Sequence, residues 1–389
     1  MSCRLRRPFS RQTAIMNNVN AIRSGHVFLF LIGIVCFSLY AAVGTVCAST
    51  DRLYPSATTR PLSAQDRPAD IFESDQTRDV NFCMGEVGFG PLRLRSQSPF
   101  QSLRLGLTAL APSTISRNEW EVFIAGTLAN VWANTEDEYF FDYEMLGSQV
   151  SLAYGISNAF KLEIGYHERR IFGGVLDGFI AGFHDAFGID QDGRNEHPYG
   201  DVRVDIQDKS GESTTSRDEE GVISRGLELA VQHNVTCGTR GFPSFSYAVQ
   251  LRYTLEDSGP VDRDKPIDFG LSIASSKRFS DLYLYLGGGY FFYGSDKVGG
   301  IKLRKEQKSG MLAFEWRYVP SQSVLLQFLA TEGQAVDLGS FSDYSYEVTL
   351  GWKWEMLQKY VFELGLIENV IIYDNSPDFG IHTGISHRF

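Results

Sequence analysis

A ten-residue alternation closes this chain. Counting back from the end, Phe389, His387, Ile385, Thr383, Ile381 and Phe379 share one face, and Arg388, Ser386, Gly384, His382 and Gly380 share the other. Successive side chains of a β-strand point to opposite faces, so this segment reads as a strand that is mostly apolar on one side. Its length suits a tilted strand crossing a hydrocarbon layer. A helix needs apolar residues every three or four positions instead. The alternation recurs along the chain from Trp120 onward, and a bilayer admits strands only when they close on themselves. The pattern therefore predicts an all-β fold, an antiparallel transmembrane β-barrel.

Trp120, Val122 and Ile124 oppose Glu121, Phe123 and Ala125, and Phe160, Leu162, Ile164 and Tyr166 oppose Lys161, Glu163, Gly165 and His167. Val150 to Ile156 gives another strand face, and further strands are expected near 227–235, 245–255, 267–273, 282–292, 312–318, 324–330, 344–354 and 360–366. Several begin or end in Trp or Tyr, as an interfacial girdle requires. Counting from Trp120 gives about twelve strands. Leu103, Leu105 and Leu107 then belong to an N-terminal segment inside or below the barrel. If that segment spans with an upstream partner, the count becomes about fourteen. Short connections (157–158, 237–243, 279–281, 320–323, 356–359) alternate with long or polar ones, of which 171–224 is the longest. Bacterial barrels have short periplasmic turns and longer outer loops, so both termini of the barrel are expected in the periplasm. A soluble β-sandwich also alternates, but it leaves the aromatic ends and the consistent sidedness without a cause.

The first 48 residues contain no Asp or Glu; five Arg precede or flank an apolar run from Val27 to Val46. Residues 1–48 read as a secretory signal peptide. Residues 49–98, rich in polar residues and proline at the start, read as a flexible periplasmic segment, and 99–389 as the barrel. Beyond the signal, 31 basic residues face 47 acidic ones, a net charge of −16. Nucleic acid is thus excluded as a partner. The expected partners are outer-membrane lipid and lipopolysaccharide, and the barrel-assembly machinery, for which the terminal Phe389 is the signal. The expected location is the outer membrane of a Gram-negative cell. Cys83 and Cys237 remain after cleavage, and both fall on the periplasmic side, where a bridge between them can form.

Within the long loop, Val175, Phe179, Phe183 and Phe187 recur every fourth residue, the stripe of an amphipathic helix. We expect that stripe to pack on the barrel rim or inner wall, with His184 and Asp185 towards the lumen. Val202, Val204 and Ile206 alternate with charged residues and extend a hairpin beyond the membrane. The run Gly173-Gly174-Val175-Leu176-Asp177-Gly178-Phe179-Ile180, then Gly182-Phe183-His184-Asp185-Ala186-Phe187-Gly188, Gly193-Arg194 and Pro198 resembles the signature of an outer-membrane family, the domain-of-unknown-function family numbered 3187. Gly90-Pro91-Leu92 to Pro99-Phe100 and Asp142-Tyr143-Glu144 resemble two further motifs of that family, in the expected order. Asp190-Gln191-Asp192 departs from its usual neutral turn. The resemblance implies location and barrel fold, with Asp177, Phe179, Phe183, His184, Asp185 and Arg194 as the loop motif; the family has no assigned activity.

The chain offers little hydrolytic chemistry. A Ser nucleophile needs a His within hydrogen-bond reach; Ser386 and His387 are adjacent and so point oppositely, while Ser386 and His382 lie four residues apart, roughly 13 Å along a strand. No catalytic residue and no cofactor is assigned, and the chain is read as a non-enzyme. The stretch 190–201 begins like a calcium loop, but Arg194 occupies the fifth place and Asp201 the twelfth, where oxygen and a bidentate Glu are needed; no metal is assigned. The inward face carries Glu121, Glu163, His167, Glu228, Arg252, Glu315, Arg317, Glu347, Lys353 and Glu363. Such charges line a water-filled path, or fill a small barrel as paired charges. The leading reading is a passive or gated pore for small hydrophilic solutes. The alternatives are a closed structural or surface-interaction barrel and, third, a lipid-modifying enzyme.

Overall fold

Twelve strands of the computed structural model close into one antiparallel barrel. The structure describes residues 87–389 apart from 136–137, 188–195, 208–212, 240, 258–266, 299–300, 358 and 370–373. The wall comprises β1 (Trp120–Thr135), β2 (Tyr139–Gly155), β3 (Phe160–Phe172), β6 (Gly221–Thr236), β7 (Ser244–Asp257), β8 (Ile267–Phe279), β9 (Leu282–Tyr293), β12 (Glu306–Val319), β13 (Gln322–Thr331), β14 (Ser345–Met356), β15 (Tyr360–Asn369) and β16 (Phe379–Arg388). Each wall strand pairs with its neighbours in sequence, and β1 closes on β16 from Glu121↔Arg388 to Asn130↔Phe379. The count of twelve expected from alternation holds, and the Leu103 segment is not a strand of the wall. Two small hairpins stand outside the closed ring. One is β4 (Arg203–Gln207) with β5 (Ser213–Arg217), which extends the upper end of β2; the other is β10 (Lys297–Val298) with β11 (Ile301–Lys302).

Alternation divides the two faces of the wall. Ile124, Leu152, Ile164, Leu229, Leu251, Leu271, Leu286, Phe314, Leu366 and Ile385 are outward and exposed. Continuous apolar surface around a closed barrel is what a bilayer covers. Rings mark both borders of this belt: Trp120 against Tyr154, Trp352 against Trp354 and Tyr360 against His387 at the short-turn end, Tyr290 against Phe292 and Tyr344 against Tyr346 at the other. The short turns are closed locally. Between β2 and β3 the Ser157 hydroxyl accepts from the amides of Ala159 and Phe160, a turn-forming contact typical of serine.

The last residue completes the seam. Trp120 N donates to Phe389 O at 2.9 Å and Phe389 N donates to Trp120 O at 3.0 Å, while the Phe389 side chain remains 63% exposed. Deleting Phe389 should therefore remove two hydrogen bonds, net about 1 kcal/mol each, and we propose that it also removes an assembly signal. Immunoblots of isolated outer membranes should show less protein than wild type; unchanged levels and unchanged heat-modifiable migration would count against both effects.

Cys237 follows β6 at the short-turn end and is disulfide-bonded. Cys83, the expected partner, lies outside the described residues. If these two are joined, alkylation of the denatured, unreduced mature chain should label neither cysteine, and labelling of both would exclude the bridge.

Candidate functional site

The lumen is occupied by the chain's own N-terminal segment, residues 87–115. Val87, Leu92, Leu94, Arg95, Ser98, Phe100, Leu103, Leu105, Leu107 and Ile115 are all buried. The segment enters at the short-turn end, where the Arg317 guanidinium sits 4.3 Å from the Phe89 ring. It rises to the long-loop end, turns through a single 3-10 turn at Gln101–Leu103, and descends again. On the way down Leu105 N donates to Asp268; Pro112 O accepts from Asn234 Nδ2 and Ser244 Oγ, and the Thr114 hydroxyl donates to Asn158 O. It leaves beside Gly155, where a Cβ would meet Ser116 O at 1.9 Å. The boundary placed at residue 98 falls inside this inserted segment.

The ten charged or polar residues expected on the inward face do face the lumen, and the six glutamates among them hold the inserted segment. Arg93 donates to Glu121 at 2.9 Å and to Glu163 at 2.5 Å. Arg95 donates to both oxygens of Glu228 at 2.6 Å. Glu315 accepts from the amides of Phe89 and Gly90 at 3.1 and 3.2 Å, and from the Tyr285 hydroxyl. Glu347 accepts from the Ser96 hydroxyl at 2.5 Å and the Gln97 amide at 3.1 Å. Glu363 accepts from the Arg93 amide at 3.1 Å and Lys353 at 2.9 Å, and Lys353 also donates to Pro91 O at 2.7 Å. His167 and Arg252 flank Glu228 at 3.3 and 3.6 Å. Such buried charges persist only when paired and hydrogen-bonded, which explains why charged wall and charged segment occur together.

Apolar contacts complete the fit. Gly351 and Gly365 face each other on β14 and β15; a Cβ on either would lie 2.7 or 2.8 Å from Leu92 Cδ1. The missing side chains make a socket for Leu92. Leu105, Leu107 and Ala109 pack on Tyr283, Tyr285, Phe291, Tyr293 and Met311. At the long-loop end Phe100 and Leu103 join Phe141, Tyr143, Val204, Ile301, Leu338 and Phe341 in one apolar cluster that covers the tip of the segment. Two small cavities between the segment and the wall, one beside Leu107 and Met311 and one beside Arg95 and Glu228, measure about 10 and 30 Å³, on the scale of single water molecules.

Thr127, His382 and Arg169 are further inward wall residues outside the expected set. Thr127 Oγ1 lies 2.8 Å from His382 Nδ1, and His382 Nε2 lies 2.9 Å from Glu363. His382 has the inward parity of β16, which the alternation displays; its partners come from strands distant in sequence. The hydroxyl–imidazole–carboxylate order resembles a nucleophilic relay, but all three groups are buried beneath the inserted segment and neither cavity touches them. The arrangement serves as a hydrogen-bond chain of the wall. Arg169, also inward and buried, donates to Glu168 O at 3.2 Å.

The loop motif lies elsewhere. Its helix spans Asp177–Phe187, as the four-residue spacing predicts, and the first two residues of the stripe are open, Val175 at 71% and Phe179 at 56% exposure, as is Asp185; the side chain of Phe187 lies outside the described residues. The buried positions are Asp177, Ile180 and Ala181. Asp177 accepts from Asn130 Nδ2 at 3.2 Å and from Gly200 N at 2.9 Å, and Leu176 N donates to Glu144 at 2.5 Å. Asn130 and Glu144 point outward on β1 and β2, so this part of the loop is fastened to the outside of the wall. The side chains of Phe183 and His184, and the whole of Arg194, lie outside the described residues. No group of three or more ligating side chains that could hold a metal occurs among the described residues.

A family model described as protein of unknown function (DUF3187) matches residues 80–389. No curated protein matches the chain. Among solved structures, an outer membrane channel from Pseudomonas putida F1 is 12% identical, with a TM-score of 0.46, over 71% of this chain and 97% of that one. The NanC porin is 8% identical over 68% and 98%, with a TM-score of 0.40, and the KdgM porin 7% over 69% and 99%, with a TM-score of 0.37. At these scores the likenesses carry nothing about function or mechanism.

Proposed function

The chain belongs to the family described as protein of unknown function (DUF3187), and for this member we propose a gated outer-membrane channel, held shut by residues 87–115. One observation supports it above the rest: the wall behind the segment is charged. Withdrawing the segment would expose Glu121, Glu163, His167, Glu228, Glu315, Glu347, Lys353 and Glu363 to the lumen. A lumen lined in this way fills with water and passes hydrophilic solutes. A barrel that is only a scaffold can fill its interior with its own wall side chains and needs no separate insert. The short-turn end is then periplasmic and the long-loop end external. The solutes are small and hydrophilic. The closed state lends no support to an enzyme reading, since the hydroxyl–imidazole pair of Thr127 and His382 is buried in it.

Planar-bilayer recording of refolded mature protein tests the reading. The full chain is expected to be closed with brief openings, and a chain lacking residues 87–115 to conduct steadily, provided it still shows heat-modifiable migration. A steadily open full chain would overturn the gate. A folded, segment-free barrel that stays silent across voltage and pH would overturn the channel.

A further inference from the structure

The loop helix lies on the wrong side of the wall for a gate, and its exposed face is apolar. On the outer face of β1 and β2, Asn130, Trp132, Asp142 and Glu144 are buried, although their parity points away from the lumen. The loop covers them. Asp177 and the Leu176 amide fasten it through Asn130 and Glu144, and the His197 ring lies 5.3 Å from that of Trp132 and 4.8 Å from that of Phe140. Val175, Gly178, Phe179 and Gly182, spaced three and four apart, form the exposed side, and Asp185 follows. A Cβ at Gly178 or Gly182 would meet nothing within 4 Å. The Phe179 ring lies 5.4 Å from that of Phe379. Phe379 heads the outward series Phe379, Ile381, Thr383 and Ile385, the lipid-facing side of β16.

We propose that this helix face is a lipid contact: Val175 and Phe179 enter the acyl chains of the surrounding leaflet. The surface is continuous with the apolar belt through Phe379, and its polar fastenings point inward to the wall, away from the lipid. A helix with one apolar face lying at the bilayer boundary is a known mode of membrane contact. The proposal rests on the membrane-barrel reading and is independent of whether the lumen opens.

Spin labels decide it. Phe179→Cys, Val175→Cys and the belt control Ile124→Cys are each labelled, in a chain whose Cys83 and Cys237 are serine and whose heat-modifiable migration is intact, and refolded into liposomes. All three labels are expected to be reached by oxygen and shielded from a water-soluble nickel chelate. If the chelate reaches positions 179 and 175 but not 124, the helix stands in water and the proposal fails while the barrel reading survives. Labels at 179 and 175 that are immobile and closed to both quenchers would mean that protein covers the helix, which also overturns it. Free access of the chelate to all three would remove the membrane reading and this proposal with it.

Discussion

Replacing Arg93 with methionine is expected to loosen the lumen more than any other single change of charge. Arg93 lies between Glu121 and Glu163 at 2.9 and 2.5 Å, and its loss leaves two buried carboxylates facing each other with less positive charge between them. Breaking a buried pair by removing one partner costs about 3–5 kcal/mol. The cost should appear as a lower temperature for the mobility shift of the folded barrel on gels, and as frequent channel openings in bilayers. Neutralising the carboxylates as well, with Glu121→Gln and Glu163→Gln, should recover much of the loss, because the energy lies in uncompensated charge. Each carboxylate keeps a second cation, Arg388 at 2.6 Å from Glu121 and Lys161 at 3.2 Å from Glu163, so the recovery should need both neutralisations rather than either one alone. An Arg93→Met protein as stable and as silent as wild type would show that ion pairs do not hold the segment.

The second large effect is steric and touches no charge. Placing valine at both Gly351 and Gly365 fills the socket of Leu92, since each new Cβ would lie under 3 Å from Leu92 Cδ1. Valine suits a strand, so the wall should form and the segment should be displaced. Conductance should rise towards that of the segment-free chain, with the folded migration kept. Adding Leu92→Ala should then restore closure, because the smaller side chain leaves room for the two valines. Leu92→Ala in the native wall should instead weaken closure, by about 2–5 kcal/mol for a buried leucine. Failure of the triple variant to close again would place the hold of the segment outside this socket.

How much of this was legible in the sequence depends on which solvent a residue meets. The wall was legible, because alternation is a direct imprint of one face on lipid and one on the lumen; Glu121, Glu228 and Glu363 stand where parity puts them. The place of Leu103, Leu105 and Leu107 inside or below the barrel followed from the strand count; the burial of residues 93–97 did not. Arg93, Arg95, Ser96 and Gln97 have no period and, read alone, suit an exposed lead-in. Only the glutamates of six different strands make their burial favourable, and no local pattern encodes that meeting. The loop helix was found by its spacing but turned the wrong way. The reading assumed that Phe179 must escape water by packing on protein. On the proposed lipid contact, the medium beside the outer wall is itself apolar, and an aromatic left bare by the protein there would not be left in water.

The inserted segment enters and leaves by the same end of the barrel. Its two arms run up from Phe89 beside Arg317 and back down to Thr114 beside Asn158, and among the described residues the segment does not pass through to the far side. On the proposed gate, residues 87–115 would move out or in as a loop after the seam between β1 and β16 has closed, without breaking a strand-to-strand hydrogen bond of the wall. Barrel closure and lumen closure become separable events in time. On the proposed gate, whatever governs the second would act from the compartment of the short turns, whichever way the solute travels.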